Sequence, residues 1–163
     1  MDTEIKDYID GQIEAAFLFS TKKVGDIPTD ALQLSNKAYV DRRLLWVILS
    51  DNTSPMDVGD SQASITVPEF LDGYKLTKVA AAVTTASASG GPILIQLAIG
   101  ANDLLTTRIS IDDTKKTSWA SGTTPPVIDT TKNLLYAGDQ IDVDIDDNGD
   151  GLALGWQLFL YVE

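Results

Sequence analysis

The chain has 163 residues, of which 44% are hydrophobic, and it contains neither cysteine nor histidine. This composition supports one ordinary domain with an appendage, and it excludes disulfides, thiolate nucleophiles, histidine bases and Cys/His zinc sites. The net charge of −12 argues against a surface that follows nucleic-acid phosphates. The longest apolar run, residues 44–49, is too short to cross a bilayer, and the acidic N-terminus does not resemble a signal peptide.

Residues 2–17 are predicted to form an amphipathic helix, because their apolar side chains recur at spacings of three and four. A helix this short is marginal alone in water, so its apolar stripe needs a partner. That partner is either its own domain or another molecule, and a stripe near the terminus favours docking on another molecule. The residues assigned to particle docking are Ile5, Ile9, Ile13, Phe17 and Phe19.

A connector with turn residues follows at 20–29, and Ser35 is positioned to cap a short helix that ends near Arg43. From Leu44 onward the pattern changes to strands. The predicted strands are 44–49, 63–67, 74–83, 92–99, 104–111, 127–129, 140–145 and 154–162. About eight strands with no helical pattern between them predict a mainly β, antiparallel sandwich, and this number favours a jelly roll over an immunoglobulin-like fold.

Two regions are therefore expected: an N-terminal arm, 1–43, with one or two short helices, and a β domain, 44–163. Leu34-Ser35-Asn36-Lys37-Ala38-Tyr39-Val40-Asp41 at their boundary resembles the Ala-x-x-Asn-Lys-x-Tyr-Val-Asp segment of tailed-bacteriophage fibre and appendage proteins. In those proteins the segment lies where an attachment region meets the projecting part. The resemblance implies a structural virion protein. It also implies a junction, where three arms gather, formed by Asn36, Tyr39, Arg42 and Arg43.

The β half is similar, piece by piece and in order, to a jelly-roll domain common in phage virion proteins. The matching pieces are 58–60, 65–68, 71–73, 76–81, 105–112, 126–129 and 137–144. The chain departs from that pattern at 151–156, near the last hairpin. The resemblance implies a homotrimer at the virion surface, as a capsid decoration, a head fibre or a tail-fibre tip.

One segment carries the spacing of a metal site. Asp146, Asn148 and Asp150, followed by Gly151, match the first half of a calcium loop. The twelfth position is Gln157 rather than a bidentate glutamate, and no helices are predicted on either side. We therefore expect an acidic hairpin tip, with Gly149 in a tight turn, and no metal or other cofactor; a calcium loop is the alternative.

Two sets of carboxylates raise the question of glycoside hydrolysis, in which two acidic groups flank the scissile bond. Asp112 and Asp113 end one predicted strand, and Asp142 and Asp144 share one face of another. Solvated turns and strand faces explain both sets, and the serines and threonines have no histidine partner. We therefore predict that the protein is not an enzyme.

The three tryptophans have different predicted environments. Trp46 and Trp156 lie in predicted strands and are expected in the core, whereas Trp119 lies in a polar loop. Partial burial of Trp119 against its own domain is the favoured interpretation. The alternative is an exposed ring that stacks on a sugar or anchors a neighbouring subunit.

These patterns together predict a capsid decoration, cement or head-fibre protein that docks on the major capsid protein or another virion protein and projects a trimeric jelly roll. No nucleic-acid or membrane partner is expected. One alternative is a tail- or neck-fibre tip that binds a host glycan through Trp119 and the loops at 87–91 and 148–151. A calcium-dependent carbohydrate-binding module unrelated to any virion is a further alternative.

Overall fold

The structure is a computed structural model that describes residues 43–120 and 122–163. The described residues contain ten strands, paired antiparallel, and one 3-10 turn, Glu69–Leu71, which confirms a mainly β, antiparallel protein. The strands are β1 Arg43–Ile48, β2 Gly59–Thr66, β3 Leu76–Ala82, β4 Ile93–Ile99, β5 Asn102–Asp103, β6 Leu105–Thr107, β7 Ile109–Ile111, β8 Val127–Ile128, β9 Gln140–Asn148 and β10 Gln157–Val162.

Several predictions fall on residues outside the described ranges. They are the helix at 2–17, the docking residues Ile5, Ile9, Ile13, Phe17 and Phe19, and the junction residues Asn36, Tyr39 and Arg42. Within the described ranges, no helix has the length and hydropathy needed to span a membrane.

The strands form two main sheets and one small ribbon. The first sheet has the order β1-β10-β3, and the second has the order β2-β9-β4-β5, with β7 also paired to β4. The ribbon consists of β6 and β8. In the first sheet, Trp46 of β1 lies opposite Phe159 of β10, which lies opposite Ala80 of β3.

Both main sheets contribute to a single hydrophobic core. Strand β9 shows how the alternation of side chains builds it: Ile141, Val143 and Ile145 are buried, whereas Asp142 and Asp144 between them are half-buried on the opposite face. Such alternation is typical of an antiparallel strand with one face on the core. The faces of the sheets that point away from the core are therefore the surfaces available for function.

The observed strands differ from the predicted ones by up to four residues at their ends, and two of them show further changes. The predicted strand at 104–111 is interrupted at Arg108, which lies between β6 and β7. Its parts then pair with different partners, β6 with β8 and β7 with β4. The predicted strand at 154–162 begins only at Gln157, because Gly155 adopts a positive φ of 66° that ends the preceding turn.

The prediction for the strand tryptophans is half right. Trp156 is in the core, 1% exposed, and its indole Nε1 donates a hydrogen bond to the Ala153 carbonyl at 2.8 Å. The prediction that Trp46 is a core residue is wrong, since this side chain is 58% exposed. Leu45 and Val47 pack against the core instead, and alternation along β1 therefore directs Trp46 away from it.

Candidate functional site: an exposed apolar sheet face

The outward face of the β1-β10-β3 sheet is largely apolar, with Gln157 and Lys78 as its polar side chains. Strand β1 contributes Leu44, Trp46 and Ile48, which are 53%, 58% and 67% exposed. Opposite Leu44 and Trp46 on β10 lie Tyr161 and Phe159, both half-buried. Residues directly opposite in an antiparallel pair share one face, so these five side chains form one continuous surface, called here the apolar face.

An aromatic cluster occupies the middle of the apolar face. The Phe159 ring lies parallel to Trp46, with centroids 6.4 Å apart and an interplanar angle of 1°. On its other side it meets the edge of Trp119, at 5.6 Å and 78°. Such stacked and edge-to-face arrangements are favourable geometries for aromatic pairs.

Trp119 reaches this cluster because its loop is fixed to β3. The Ser118 amide donates to the Ala81 carbonyl at 2.9 Å, and the Ala81 amide donates back to the Ser118 hydroxyl at 3.0 Å. Ser118 is buried, yet Trp119 remains 58% exposed. Trp119 thus contacts its own domain through Phe159, as expected, while most of its ring faces outward, as the alternative interpretation required.

The charges of the domain are segregated between the two sheets. None of the residues of β1, β3 and β10 is acidic, whereas β2, β4, β5, β7 and β9 contain no lysine or arginine. The acidic residues of the second sheet are Asp60, Asp103, Asp142, Asp144, Asp146 and Asp147. In a chain of net charge −12, the strands of the first sheet are therefore acid-free, and Glu163, which follows β10, lies at their end in a pocket with Thr77, Lys78 and Tyr161.

No protein family, curated protein or solved structure matches this chain. Functional inference therefore starts from the chemistry of these surfaces. An exposed cluster of aromatic and aliphatic side chains is typical of a protein–protein contact, because such residues gain most from being removed from water.

Two cations lie on the acid-free sheet, and each contacts aromatic rings. The guanidinium of Arg43, a predicted junction residue, lies 5.7 Å from the Phe70 ring centroid and 5.2 Å from that of Tyr74. The Lys78 ammonium lies 5.4 Å from the Tyr161 ring centroid. These contacts hold the cations while leaving the side chains exposed.

The second sheet has an acidic groove of about 350 Å³ on its outward side. Asp142 and Asp144 line it together with Asp60 and Asp103. The amide of Ser61, which adopts a φ of +50°, donates to Asp144 Oδ1 at 2.6 Å in the irregular part of β2. Within 43–120 and 122–163, no group of three or more acidic side chains is arranged to hold a metal ion.

A larger groove, about 890 Å³, lies along β4, β6 and β7. Asp112 lines it and accepts a hydrogen bond from the Ser110 hydroxyl at 3.3 Å, and Arg108 lines it while pairing with Asp146 at 2.6 Å. Asp113 lies outside this lining. Asp112 therefore faces a different groove from Asp142 and Asp144.

The three predicted calcium ligands contact three different parts of the protein. Asp146 pairs with Arg108, and the Asn148 amide donates to the Met56 carbonyl at 3.1 Å. Asp150 Oδ2 accepts the Ala88 amide at 2.8 Å. This hydrogen bond, followed by one from the Leu152 amide, lowers the pKa of Asp150. The carboxylates and the amide are thus engaged by the protein itself.

The predicted tight hairpin at Asn148-Gly149 is wrong. Strand β9 ends at Asn148, and the next strand, β10, belongs to the other sheet. Gly149 does adopt the predicted positive φ, at 65°. The turn connects one sheet to the other. Its local sequence pattern is the same as that of a hairpin turn, so the two cannot be distinguished from the sequence.

Two of the three predicted glycan contacts do come together. The Asp150 amide donates to the Ser87 hydroxyl at 3.1 Å, so the loop at 87–91 packs on the turn at 148–151. Trp119, the third, packs on Phe159 instead. Phe159 was not predicted as a surface residue, because it lies in an apolar run, 158–162, that carries no local signal of which side is covered.

Proposed function

We propose that this protein is a non-enzymatic structural protein of a tailed-phage virion, displayed on the virion surface as a capsid decoration, cement or head-fibre protein. Its arm, 1–43, docks on the major capsid protein or another virion protein, and its β domain projects as a trimer. The observation that carries this proposal is the apolar face, because assembly is the function that an exposed, acid-free aromatic surface serves best.

The topology supports assigning the β domain to the jelly rolls. The chain alternates between sheets, since β1, β3 and β10 lie in the first and β2, β4 and β9 in the second. A jelly roll is a double-sheet antiparallel architecture whose connections cross between layers in this manner. The ordered sequence pieces between 58 and 144 give independent support for the same assignment.

The sequence around the start of the domain supports the virion assignment. The segment 34–41 resembles the boundary segment of phage appendage proteins, and the first strand, β1, begins at Arg43, directly after it. An attachment segment placed beside the β domain, with no repetitive shaft between them, suits a decoration protein better than a long fibre.

The docking role of the arm is tested with particles that lack the protein. Ile9→Asp and Ile13→Asp are expected to abolish co-sedimentation with such particles, since an acidic group on the apolar stripe opposes burial. Glu14→Ala, on the polar side of the predicted helix, is the matched control and should bind normally. Equal binding by all three variants would refute docking through the arm.

Glycan binding by a fibre tip is the second candidate, and the contact between Ser87 and Asp150 favours it, because it joins two of the predicted glycan-contact loops. Saturation-transfer NMR with host-surface glycans would reveal binding at the loops. Loss of the signal in Asp150→Ala, with retention in Asp142→Ala, would support this candidate over an assembly role alone.

A further inference from the structure

We propose that the apolar face is the contact between copies of this chain, with Trp46, Phe159 and Trp119 at its centre. This inference rests on the proposed function, which requires a trimer but does not say which surface forms it. The occupant of the face is thus a second copy of the chain rather than the virion shell, which the arm contacts.

The extent of the face fits an interface. Trp46 and Trp119 are each 58% exposed. Since a tryptophan buries about 150–250 Å², the two rings alone leave roughly 170–290 Å² in contact with water. Leu44 and Ile48 extend the same patch, which places it among the largest apolar patches of monomeric proteins, about 300–600 Å². Patches of that size are commonly sites of association.

Charge identifies a second copy as a suitable partner. Chains of net charge −12 repel one another, and the outward side of the second sheet, with Asp60, Asp142 and Asp144, would add to that repulsion at any contact made there. The first sheet is the acid-free alternative. Its outward-facing cation, Lys78, lies opposite Tyr161, where it would meet a partner that carries excess carboxylates, as another copy of this chain does.

The edge of the sheet gives a further reason for coverage. In the described part of the chain, β1 pairs only with β10 and forms the edge of its sheet. Residues 44–48 of this edge include no charged residue or proline, the devices that usually prevent edge strands from associating. A neighbouring copy seated on the apolar face would shield this edge as well.

The test compares two exposed aliphatic residues with the same exposure. Ile48 on the apolar face and Leu152 in the turn after β9 are both 67% exposed. For the full chain, sedimentation equilibrium should show a trimer. Ile48→Asp should weaken association by at least ~30-fold, because it places a charge in the buried contact, whereas Leu152→Asp should leave it unchanged. Trp46→Arg is a second variant with the same expected loss.

Folding of each variant is checked by far-UV circular dichroism and by urea unfolding. In urea, the fluorescence of the core residue Trp156 should report the same cooperative transition as in wild type. A monomeric wild-type chain at about 100 µM would overturn the inference, as would trimers of Ile48→Asp and Trp46→Arg that match wild type. Trimeric variants, with particle binding through the arm retained, would overturn only the assignment of the face, whereas a monomeric wild-type chain would also remove the trimer from the proposed function and leave docking through the arm. If the wild-type chain is monomeric and Ile48→Asp also loses particle binding, the apolar face contacts another virion protein. That result would overturn the inference as well.

Discussion

The contact between the loop at 87–91 and the turn at 148–151 predicts unequal effects of two neighbouring glycine substitutions. Gly149 and Gly151 both adopt positive φ, 65° and 71°. A Cβ at Gly149 would overlap the hydroxyl of Ser87, a buried side chain. A Cβ at Gly151 would have its nearest contact at 3.7 Å, an ordinary van der Waals distance to the Asn148 side chain.

The magnitudes follow from these environments. Both substitutions to alanine carry the cost of a left-handed backbone, about 1–2 kcal/mol. Gly149→Ala must also displace the Ser87 hydroxyl, which accepts the Asp150 amide and donates to the Ser89 carbonyl at 2.8 Å. Loss of these two hydrogen bonds adds roughly 1–3 kcal/mol. We expect Gly149→Ala to lower the free energy of unfolding by about 2–5 kcal/mol and Gly151→Ala by about 1–2 kcal/mol.

Urea unfolding followed by tryptophan fluorescence measures the difference. The midpoint should fall further for Gly149→Ala, with unchanged slopes. Ser87→Ala should cost less in the Gly149→Ala background than in wild type, because the two hydrogen bonds of the Ser87 hydroxyl are already lost there. Equal destabilisation by the two glycine substitutions would refute the packing of the loop on the turn.

Three further predictions concern stability. The Ala88 amide hydrogen bond lowers the pKa of Asp150, so the ionised side chain stabilises the folded state. This stabilisation is complete above about pH 3.9 and is lost as pH falls through the depressed folded-state pKa. The urea midpoint should therefore fall less steeply with acidification in Asp150→Asn than in wild type. Asn133→Ala should cost about 1–3 kcal/mol in urea unfolding, because the buried Leu76 carbonyl loses its 2.8 Å hydrogen bond from the Asn133 side chain. Ile145→Ala should cost about 2–5 kcal/mol in the same assay, since it opens a cavity at a core residue that is 1% exposed. The same pH dependence of the urea midpoint in Asp150→Asn and in wild type would contradict the role of the Asp150 hydrogen bonds. A loss of unfolding free energy below about 0.5 kcal/mol would contradict the Asn133 hydrogen bond or the core position of Ile145, whichever variant shows it.

Strands with one polar face could be predicted from the sequence. In β9 the alternation of Ile141, Val143 and Ile145 with Asp142 and Asp144 indicates both the strand and the side that faces the core. The β class follows from several such segments in succession. Alternation is a local property, so the sequence alone is sufficient to detect it.

Strands that are apolar on both faces could not be assigned in this way. Trp46 lies in an unbroken apolar run, which is typical of a strand buried on both sides. The apolar face arises because the core covers only one side of this sheet, with Leu45 and Val47 inward. Which side is covered depends on the packing of the second sheet, which is a long-range property.

The acidic turn shows the same limit. The spacing of Asp146, Asn148 and Asp150 matches a calcium loop, but their partners, among them Arg108 and Ala88, are distant in sequence. The pairing of β4 with β9 and with β7 brings these segments together. A local motif therefore cannot reveal that its oxygens are already engaged.

An electron cryomicroscopy reconstruction of particles purified from a host that produces the protein would show whether it is part of the virion and which surfaces join its copies. Trimers are expected on the virion surface, with Trp46, Phe159 and Trp119 buried between neighbouring copies and the acidic groove facing solvent. Particles that lack the protein, or that display single copies with the apolar face open to solvent, would contradict the virion assignment and the trimer contact, respectively.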